Sequence, residues 1–163
     1  MTRQHKIKTN AMRLLDAHHI PYSALTYPDT IHSADEASAL LGIPAHHMFK
    51  TLVVFAGKGR RLLIMVPGDH ELDLRQAARA VNAKSVQMAH QREAEQLTGL
   101  KVGGISALAL LDKHFEVYLD ASATKLEELY LSGGQRGVTI RMRVADLLRI
   151  TGARVIQATL SSE

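Results

Sequence analysis

The chain of 163 residues has 46% hydrophobic and 22% charged side chains, a balance typical of one globular domain with room for a substantial core. It has no cysteine, which excludes disulfides, thiolate zinc sites and a cysteine nucleophile, and no apolar stretch long enough to cross a bilayer. The formal net charge of +4 comes from dispersed basic residues, so it is compatible with an RNA partner without requiring one.

Capping residues and hydrophobic periodicity predict the helices and strands. Ser33 and Glu36 form a capping box at the start of one helix, Gly42 ends that helix, and Asp73 can cap another. In chain order we predict a helix over 9–19, a strand over 22–27, a helix over 34–41, a helical turn over 44–48, strands over 50–56 and 61–66, a helix over 74–81, a strand over 85–88, a helix over 91–98, strands over 115–119, 127–131 and 138–142, a helix over 144–150 and a last strand over 154–158.

The order of these elements indicates the fold class. Strands 50–56 and 61–66 form the clearest hairpin, and both are nearly continuous apolar runs, so we expect them mid-sheet with both faces covered. Hairpins between helices argue against a doubly wound sheet, which needs regular alternation of strand and helix. We therefore predict a mixed α/β (α+β) fold, a twisted mixed sheet or partial barrel with surrounding helices.

The chain shows no sign of division into parts or of export. No internal repeat, low-complexity tract or linker interrupts it, so we expect a single domain over residues 1–163. The N-terminal segment lacks the pattern of a signal peptide. We expect a soluble, cytoplasmic protein with no membrane partner.

Two glycine doublets, Gly103-Gly104 and Gly133-Gly134, are the strongest local signal in the chain. A doublet suits either a tight turn with positive φ or a ligand that approaches bare N–H groups. Each doublet is accompanied by polar side chains, namely Ser106, Ser132 and Arg136. Main-chain amides, hydroxyls and a guanidinium together suit a carbonyl or anionic oxygen, and two such turns in one small domain favour a binding site.

Lys50 is the most unusual single residue, because it begins a strand whose following side chains are mostly apolar. Lysine is among the residues least often buried. Its stem can lie on the core while its ammonium points into a cleft, or it can be an ordinary surface lysine. The strand alone leaves both interpretations open.

Several short motifs occur in a fixed order along nearly the whole chain: Phe49-Lys50-Thr51-Leu52, Leu72-Asp73-Leu74 with Ala77 and Ala78, Thr98-Gly99 with Gly103-Gly104-Ile105-Ser106, and Tyr130 with Ser132-Gly133-Gly134 and Arg136-Gly137. Together they resemble the YbaK family of bacterial aminoacyl-tRNA deacylases, which is similar to the editing domain inserted in many prolyl-tRNA synthetases. The opening Lys8–Arg13 stretch resembles the Cys-tRNA(Pro) deacylase branch of that family.

This resemblance implies a trans-editing hydrolase that removes a wrong amino acid, typically cysteine, from tRNA(Pro). The nine histidines are scattered and form no His-Glu-x-x-His motif, so we expect no metal site, and we expect no cofactor. The resemblance implies a compact mixed α/β fold with a barrel-like sheet and two partners: aminoacylated tRNA(Pro) and, transiently, prolyl-tRNA synthetase. It also implies site residues: Lys50 as the key lysine, Gly103, Gly104 and Ser106 as the loop that cradles the aminoacyl group, Ser132, Gly133, Gly134 and Arg136 as the second loop, and Tyr27 and Asp146 as polar pocket positions.

One departure from the family pattern bears on specificity. The first glycine loop usually continues to proline, and Ala107 stands there in this chain. Loss of a fixed φ makes the loop less preorganised, which leaves open a different amino acid such as alanine. A non-catalytic module that binds tRNA or synthetase is the second interpretation. For a deacylase, the nucleophile is either water or the thiol of the substrate cysteine.

Overall fold

The computed structural model describes residues 8–31 and 33–160. Within them the chain forms five α-helices and eight strands in the order α1 (Asn10–Ala17), β1 (Ser23–Thr26), α2 (Ala34–Leu41), β2 (Met48–Ala56), β3 (Arg60–Pro67), α3 (Leu74–Ala80), β4 (Val86–Met88), α4 (Gln91–Thr98), β5 (Glu116–Asp120), β6 (Glu128–Ser132), β7 (Val138–Arg143), α5 (Val144–Thr151) and β8 (Arg154–Ile156). Single turns of 3-10 helix lie at Ala45–His47, Ala107–Ala109 and Ala121–Lys125.

Local capping chemistry produces the helix ends that the sequence predicts. The Ser33 hydroxyl accepts a hydrogen bond from the Glu36 N–H at the start of α2, and Gly42 ends the helix in the left-handed region. The Asp73 carboxylate accepts from the N–H groups of Arg75 and Gln76 at the start of α3. The predicted bounds of α2 and α4 are confirmed, and the other elements agree within three residues at each end.

All eight strands belong to one mixed sheet, as predicted. Its main path runs β1-β7-β6-β2-β3-β5-β8, and β4 pairs with β2 beside that path. The pairs β2–β6, β3–β5 and β5–β8 are parallel and the others are antiparallel. The β2–β3 hairpin is central in this order, and the described helices include none long and apolar enough to cross a membrane.

Apolar side chains pack on both faces of the sheet. Phe49 and Val53 of β2 contribute to one cluster, together with the buried face of α1. Val54 and Ala56 point to the opposite face, where the buried face of α3 covers them. The double coverage explains why β2 and β3 read as continuous apolar runs in the sequence.

The last strand is shorter than the predicted range 154–158. The Ala158 N–H donates to the Asp120 carboxylate at 2.9 Å instead of to a neighbouring strand, and Thr159 forms an isolated bridge with Leu72. The buried Asp120 carboxylate therefore holds the end of the chain after β8 has stopped at Ile156.

β2 has one complete edge and one divided edge. β3 pairs along one edge from Phe49 to Ala56. On the other edge, β6 pairs only at Met48 and Phe49, whereas β4 pairs from Val54 to Ala56. Residues 50–52 therefore have no partner strand on this edge within the described part of the chain, and the sheet opens there.

Candidate functional site

A cleft of about 590 Å³ lies along this open edge of β2. Its walls include β2 itself, the start of α2, the turn after β3, the start of α4 and both glycine turns. The polar side chains and glycines that line it are Tyr27, Ser33, Asp35, Lys50, Thr51, Gly68, Glu71, Gln91, Gly103, Ser132 and Thr139. The volume is in the range of small-molecule sites.

Lys50 lines this cleft from β2 and is half-buried. Strand alternation places its side chain on the face of Leu52 and Val54, opposite Phe49 and Thr51. No acceptor among the described residues lies within hydrogen-bonding distance of the ammonium, so its charge is available to a ligand.

The first glycine turn supplies one free main-chain donor. Gly103 lines the cleft at φ +94°, a left-handed conformation that favours glycine, and its N–H has no partner among the described residues. The N–H of Gly104 behaves differently, because it donates to the Lys101 carbonyl at 2.7 Å within the turn itself. Gly103, and not Gly104, therefore has an amide that can meet a ligand.

The two glycine turns pack directly on each other. A Cβ on Gly104 would lie 2.7 Å from the main-chain nitrogen of Arg136, so only glycine allows this approach. The Arg136 side chain reinforces the contact, since its Nε donates to the Val102 carbonyl at 2.6 Å. On the other side of the first turn, the Glu95 carboxylate accepts from the Val102 N–H at 2.9 Å, and this hydrogen bond lowers the pKa of Glu95.

The second glycine turn places Ser132 and Tyr27 at the cleft. The Ser132 hydroxyl accepts from the Gly134 N–H at 3.1 Å, which leaves its own hydrogen free to donate. Tyr27 is fixed by its N–H, which donates to the Gly137 carbonyl at 2.9 Å. Gly133 packs on Val138, where a Cβ would come within 2.7 Å of the side chain.

Six of the predicted site residues lie outside the lining of the cleft. Gly104, Gly133, Gly134 and Arg136 shape the turns behind it, and Ser106 is fully buried next to the lining residue Ile105. Asp146 lies on α5, where its carboxylate accepts from Arg149 at 2.9 Å.

The structure adds cleft residues that the sequence analysis did not select. Thr51 lines the cleft, and its Oγ1 is buried without a hydrogen-bond partner, as is the Ser106 hydroxyl. Burying a hydroxyl without a hydrogen-bond partner costs free energy. This cost is typical of a group whose partner is supplied by a bound ligand or water. Thr51 could have been found from the sequence, because it is a polar residue inside an apolar strand. Asp35 and Glu71 gave no such signal, because the packing of α2 and of the turn after β3 brings them to the cleft.

The arrangement suits a small ligand with a polar carbonyl or anionic group. Among the described residues it combines the unpaired Lys50 ammonium, the free Gly103 N–H, five hydroxyl side chains and two carboxylates around an apolar wall. No group of three or more metal-ligating side chains comes together within residues 8–31 and 33–160.

Comparison with known proteins relates this chain to aminoacyl-tRNA editing domains. The aminoacyl-tRNA editing domain family matches residues 28–150. The "Putative Cys-tRNA(Pro)/Cys-tRNA(Cys) deacylase EbsC" of Enterococcus faecalis is 33% identical over 154 residues, which is 93% of each chain. A proline–tRNA ligase of Acidithiobacillus ferrooxidans is 40% identical over 75 residues, 46% of this chain and 13% of the ligase.

Solved structures show the same fold. The hypothetical protein APE2540 superposes with a TM-score of 0.85 at 24% identity, covering 93% of this chain and all of that one. A structure described as "a putative trans-editing enzyme for prolyl tRNA synthetase" superposes with a TM-score of 0.76 at 27% identity, covering 96% of this chain and all of that one.

Proposed function

The chain belongs to the aminoacyl-tRNA editing domain family, and from this premise we propose that it cleaves the ester of Cys-tRNA(Pro) in trans. The family supports a deacylase activity. The choice of cysteine and tRNA(Pro) is supported by the name of the relative that matches 93% of the chain. Such a protein would act in the cytoplasm, next to prolyl-tRNA synthetase.

One observation carries the proposal: Lys50, Gly103 and Ser132 come from three distant segments and line one cleft. The substrate ester joins the amino-acid carbonyl to a ribose oxygen of the terminal adenosine. Attack on that carbonyl carbon develops negative charge on its oxygen. The free Gly103 N–H is assigned to this oxygen, an interaction worth about 3–4 kcal/mol per well-placed donor in other enzymes.

Lys50 supplies positive charge in the same cleft. Its ammonium, which has no partner within residues 8–31 and 33–160, stabilises either the developing oxyanion or the ribose oxygen as it leaves. The Ser132 hydroxyl donates a hydrogen bond to the terminal ribose or to the amino acid. Gly104 and Arg136 act behind the cleft by holding the two turns together, and Gly133 and Gly134 shape the second turn.

Two nucleophiles fit an ester that is already activated. Water can add to the carbonyl carbon and lose a proton, after which the ribose oxygen leaves and takes one up. Alternatively, the thiol of the substrate cysteine loses its proton and attacks its own carbonyl carbon, and the C–O ester bond breaks as the ribose oxygen takes up a proton. The cyclic thioester that forms is then opened by water. A thiol with an ordinary pKa near 8.5 ionises readily beside a lysine.

The test is loss of the ester from three substrates: Cys-tRNA(Pro), Ala-tRNA(Pro) and Pro-tRNA(Pro). Cleavage of the first with sparing of the third supports the proposal. Preferential cleavage of the second assigns the chain to alanine editing. Binding of tRNA with no turnover of any ester would make the chain a non-catalytic module.

Lys50→Ala is the accompanying variant. Removal of the ammonium should abolish cleavage, because the cleft loses its positive charge. Thermal unfolding should stay unchanged, because the ammonium has no partner in the part of the chain that the structure describes. Hydroxylamine, at a concentration too low to cleave the ester without enzyme, distinguishes the two routes, since it traps a cyclic thioester as the cysteine hydroxamate after the tRNA has left. Free cysteine as the sole product in its presence, at an unchanged rate, argues for water.

A further inference from the structure

We propose that a groove along α3, lined by Arg75 and Arg79, binds phosphates of the tRNA acceptor end while the terminal ester occupies the cleft. This inference rests on the proposed function, because it assumes that the ligand of the cleft is the end of an RNA. It assigns an interaction surface at a distance from Lys50.

The groove is a second cavity of about 550 Å³ between α3 and the segment that follows β8. Its lining is polar, consisting of Asp73, Arg75, Gln76, Arg79, Ala80 and Gln157. Arginine and glutamine side chains are the kinds of donor that contact phosphate oxygens in nucleic-acid complexes.

Both arginines are exposed and their guanidinium groups have no partner among the described residues. They are four residues apart on α3, so they lie on one helix face about 6 Å apart along its axis. The carboxylate in the groove, that of Asp73, is engaged by the N–H groups of Arg75 and Gln76. The two cations therefore remain uncompensated by an ion pair.

The groove lies on the correct side of the sheet to act with the cleft. The buried residues Ala77 and Ala78 pack α3 onto the face that carries Val54, which is the face of the Lys50 side chain. Glu71 lines the cleft and Asp73 lines the groove, so the two sites are two residues apart in the chain at their nearest point.

The spacing fits the end of an RNA strand. β8, beside the far wall of the groove, lies three strands from β2, which is roughly 14 Å at about 4.8 Å per strand. A stacked strand advances about 3.4 Å per nucleotide, so this distance corresponds to roughly four nucleotides. The arginines lie on the opposite wall, on α3, which packs on residues from β2 to β8, so they would meet phosphates within these four nucleotides of the unpaired 3′ tail.

The experiment compares two substrates of the full-length protein. One is Cys-tRNA(Pro), and the other is cysteine esterified to the 3′-hydroxyl of adenosine, which fits the cleft but lacks the phosphates. The variants are Arg75→Glu with Arg79→Glu, and the milder Arg75→Gln with Arg79→Gln. Lys125→Glu with Arg143→Glu is the control, because these exposed cations lie outside both cavities and give the same charge change.

We expect the glutamate pair to lower kcat/KM for Cys-tRNA(Pro) by about tenfold or more, with a smaller loss for the glutamine pair. The dependence of log kcat/KM on log salt should become shallower by about 1.5, as for the loss of two phosphate contacts. The small ester should be cleaved at the wild-type rate by both pairs. An equal loss on both substrates, no loss on tRNA, or the same loss in the control pair overturns the inference.

A second measurement separates this inference from the proposed function. If the wild-type protein cleaves no ester, the proposed function fails, and affinity for uncharged tRNA(Pro) decides the role of the groove. Weaker binding by the glutamate pair at low salt, with unchanged binding by the control pair, supports the groove. Equal binding by all three proteins overturns it.

Discussion

The Nε of Arg136 donates a hydrogen bond to the main-chain carbonyl oxygen of Val102 at 2.6 Å, and this bond joins the two glycine turns. The first turn carries Gly103 at the cleft, and the second carries Ser132. The position of the Gly103 amide relative to Ser132 and Lys50 therefore depends on a side chain that lies behind the cleft and not in it.

Arg136→Met should reduce turnover more than it reduces stability. The substitution keeps an aliphatic stem but removes the donor to Val102, so the first turn can shift away from the second. A displacement of about 1 Å can cost about 100-fold in rate, and we expect a loss of kcat between tenfold and about that value. Steady-state kinetics and thermal unfolding check the two effects.

Arg149→Met is the control for Arg136→Met, because Arg149 is an exposed arginine on α5 that is bound only to Asp146. It should leave kcat unchanged. A rise in KM with an unchanged kcat in Arg136→Met would contradict a positioning role and would indicate direct contact with the tRNA.

Gly104→Ala should both destabilise the protein and impair cleavage. The added Cβ would lie 2.7 Å from the Arg136 nitrogen and 2.9 Å from the carbonyl carbon of Gln135, so the turns must separate. Overpacking of this kind costs about 1–3 kcal/mol in the free energy of unfolding. Urea denaturation and kcat with Cys-tRNA(Pro) measure the two losses.

Gly57→Ala is the matched control for Gly104→Ala. Gly57 also lies in a turn, but nothing lies within 4 Å of its added Cβ and its φ is not in the left-handed region. We expect unchanged activity and a free energy of unfolding that is unchanged or slightly higher. If Gly104→Ala behaves in the same way, the close approach of the two turns is not required.

The sequence predicts those parts of the fold that depend on interactions between residues close together in the chain. Ser33, Asp73 and Gly42 mark their helix ends by interactions within a few residues, and the apolar runs of β2 and β3 reflect coverage on both faces. The 3-10 turn at Ala107–Ala109 was not predicted. Ala107 is fully buried there, so packing as well as sequence holds this segment.

The site was harder to predict because long-range pairing creates it. The glycine doublets and Lys50 stand out locally, and all three segments reach the cleft region. The division of the β2 edge between β6 and β4 depends on register between distant strands, which no local pattern encodes. Two further features likewise cannot be predicted without the tertiary structure. The Gly104 N–H donates within its own turn, and Arg136 bridges the two turns.

Thr51→Val should stabilise the protein and impair catalysis. The Thr51 Oγ1 is buried at the cleft without a hydrogen-bond partner, so its removal relieves an unsatisfied polar group. We expect about 1 kcal/mol of added stability, because an unmade hydrogen bond of this kind costs about 1–3 kcal/mol. Because we expect the substrate to supply the missing hydrogen-bond partner, kcat/KM should fall about tenfold. A gain in stability with a loss of activity is the trade-off expected at a functional site.

Thr26→Val provides the comparison for Thr51→Val, since Thr26 is an exposed threonine on β1. It should change stability by no more than about 0.5 kcal/mol and leave kcat/KM unaltered. Loss of stability in Thr51→Val would contradict an unsatisfied hydroxyl in the free protein. Unchanged cleavage of Cys-tRNA(Pro) would show that the hydroxyl has no role in binding the substrate.

Stability in acid should depend on Glu116. Its carboxylate accepts two hydrogen bonds from Arg60, at 2.7 and 2.8 Å, and the guanidinium lowers the pKa of Glu116 from 4.5 to about 2. The unfolded chain therefore takes up a proton on this group at higher pH than the folded chain does. The stabilisation is complete above about pH 4.5 and is lost as the pH falls through about 2.

Glu116→Gln should remove this pH-dependent contribution. The difference in unfolding free energy between the wild type and Glu116→Gln should be greatest near neutral pH and should shrink as the pH falls from about 4.5 towards 2. The pair is partly exposed, so solvent screening keeps the difference modest. Urea denaturation at a series of pH values measures it. Arg60→Met should weaken the same pH dependence, because it removes the cation that lowers the Glu116 pKa. If the difference in unfolding free energy between the wild type and Glu116→Gln grows towards acid pH, the predicted sign is wrong.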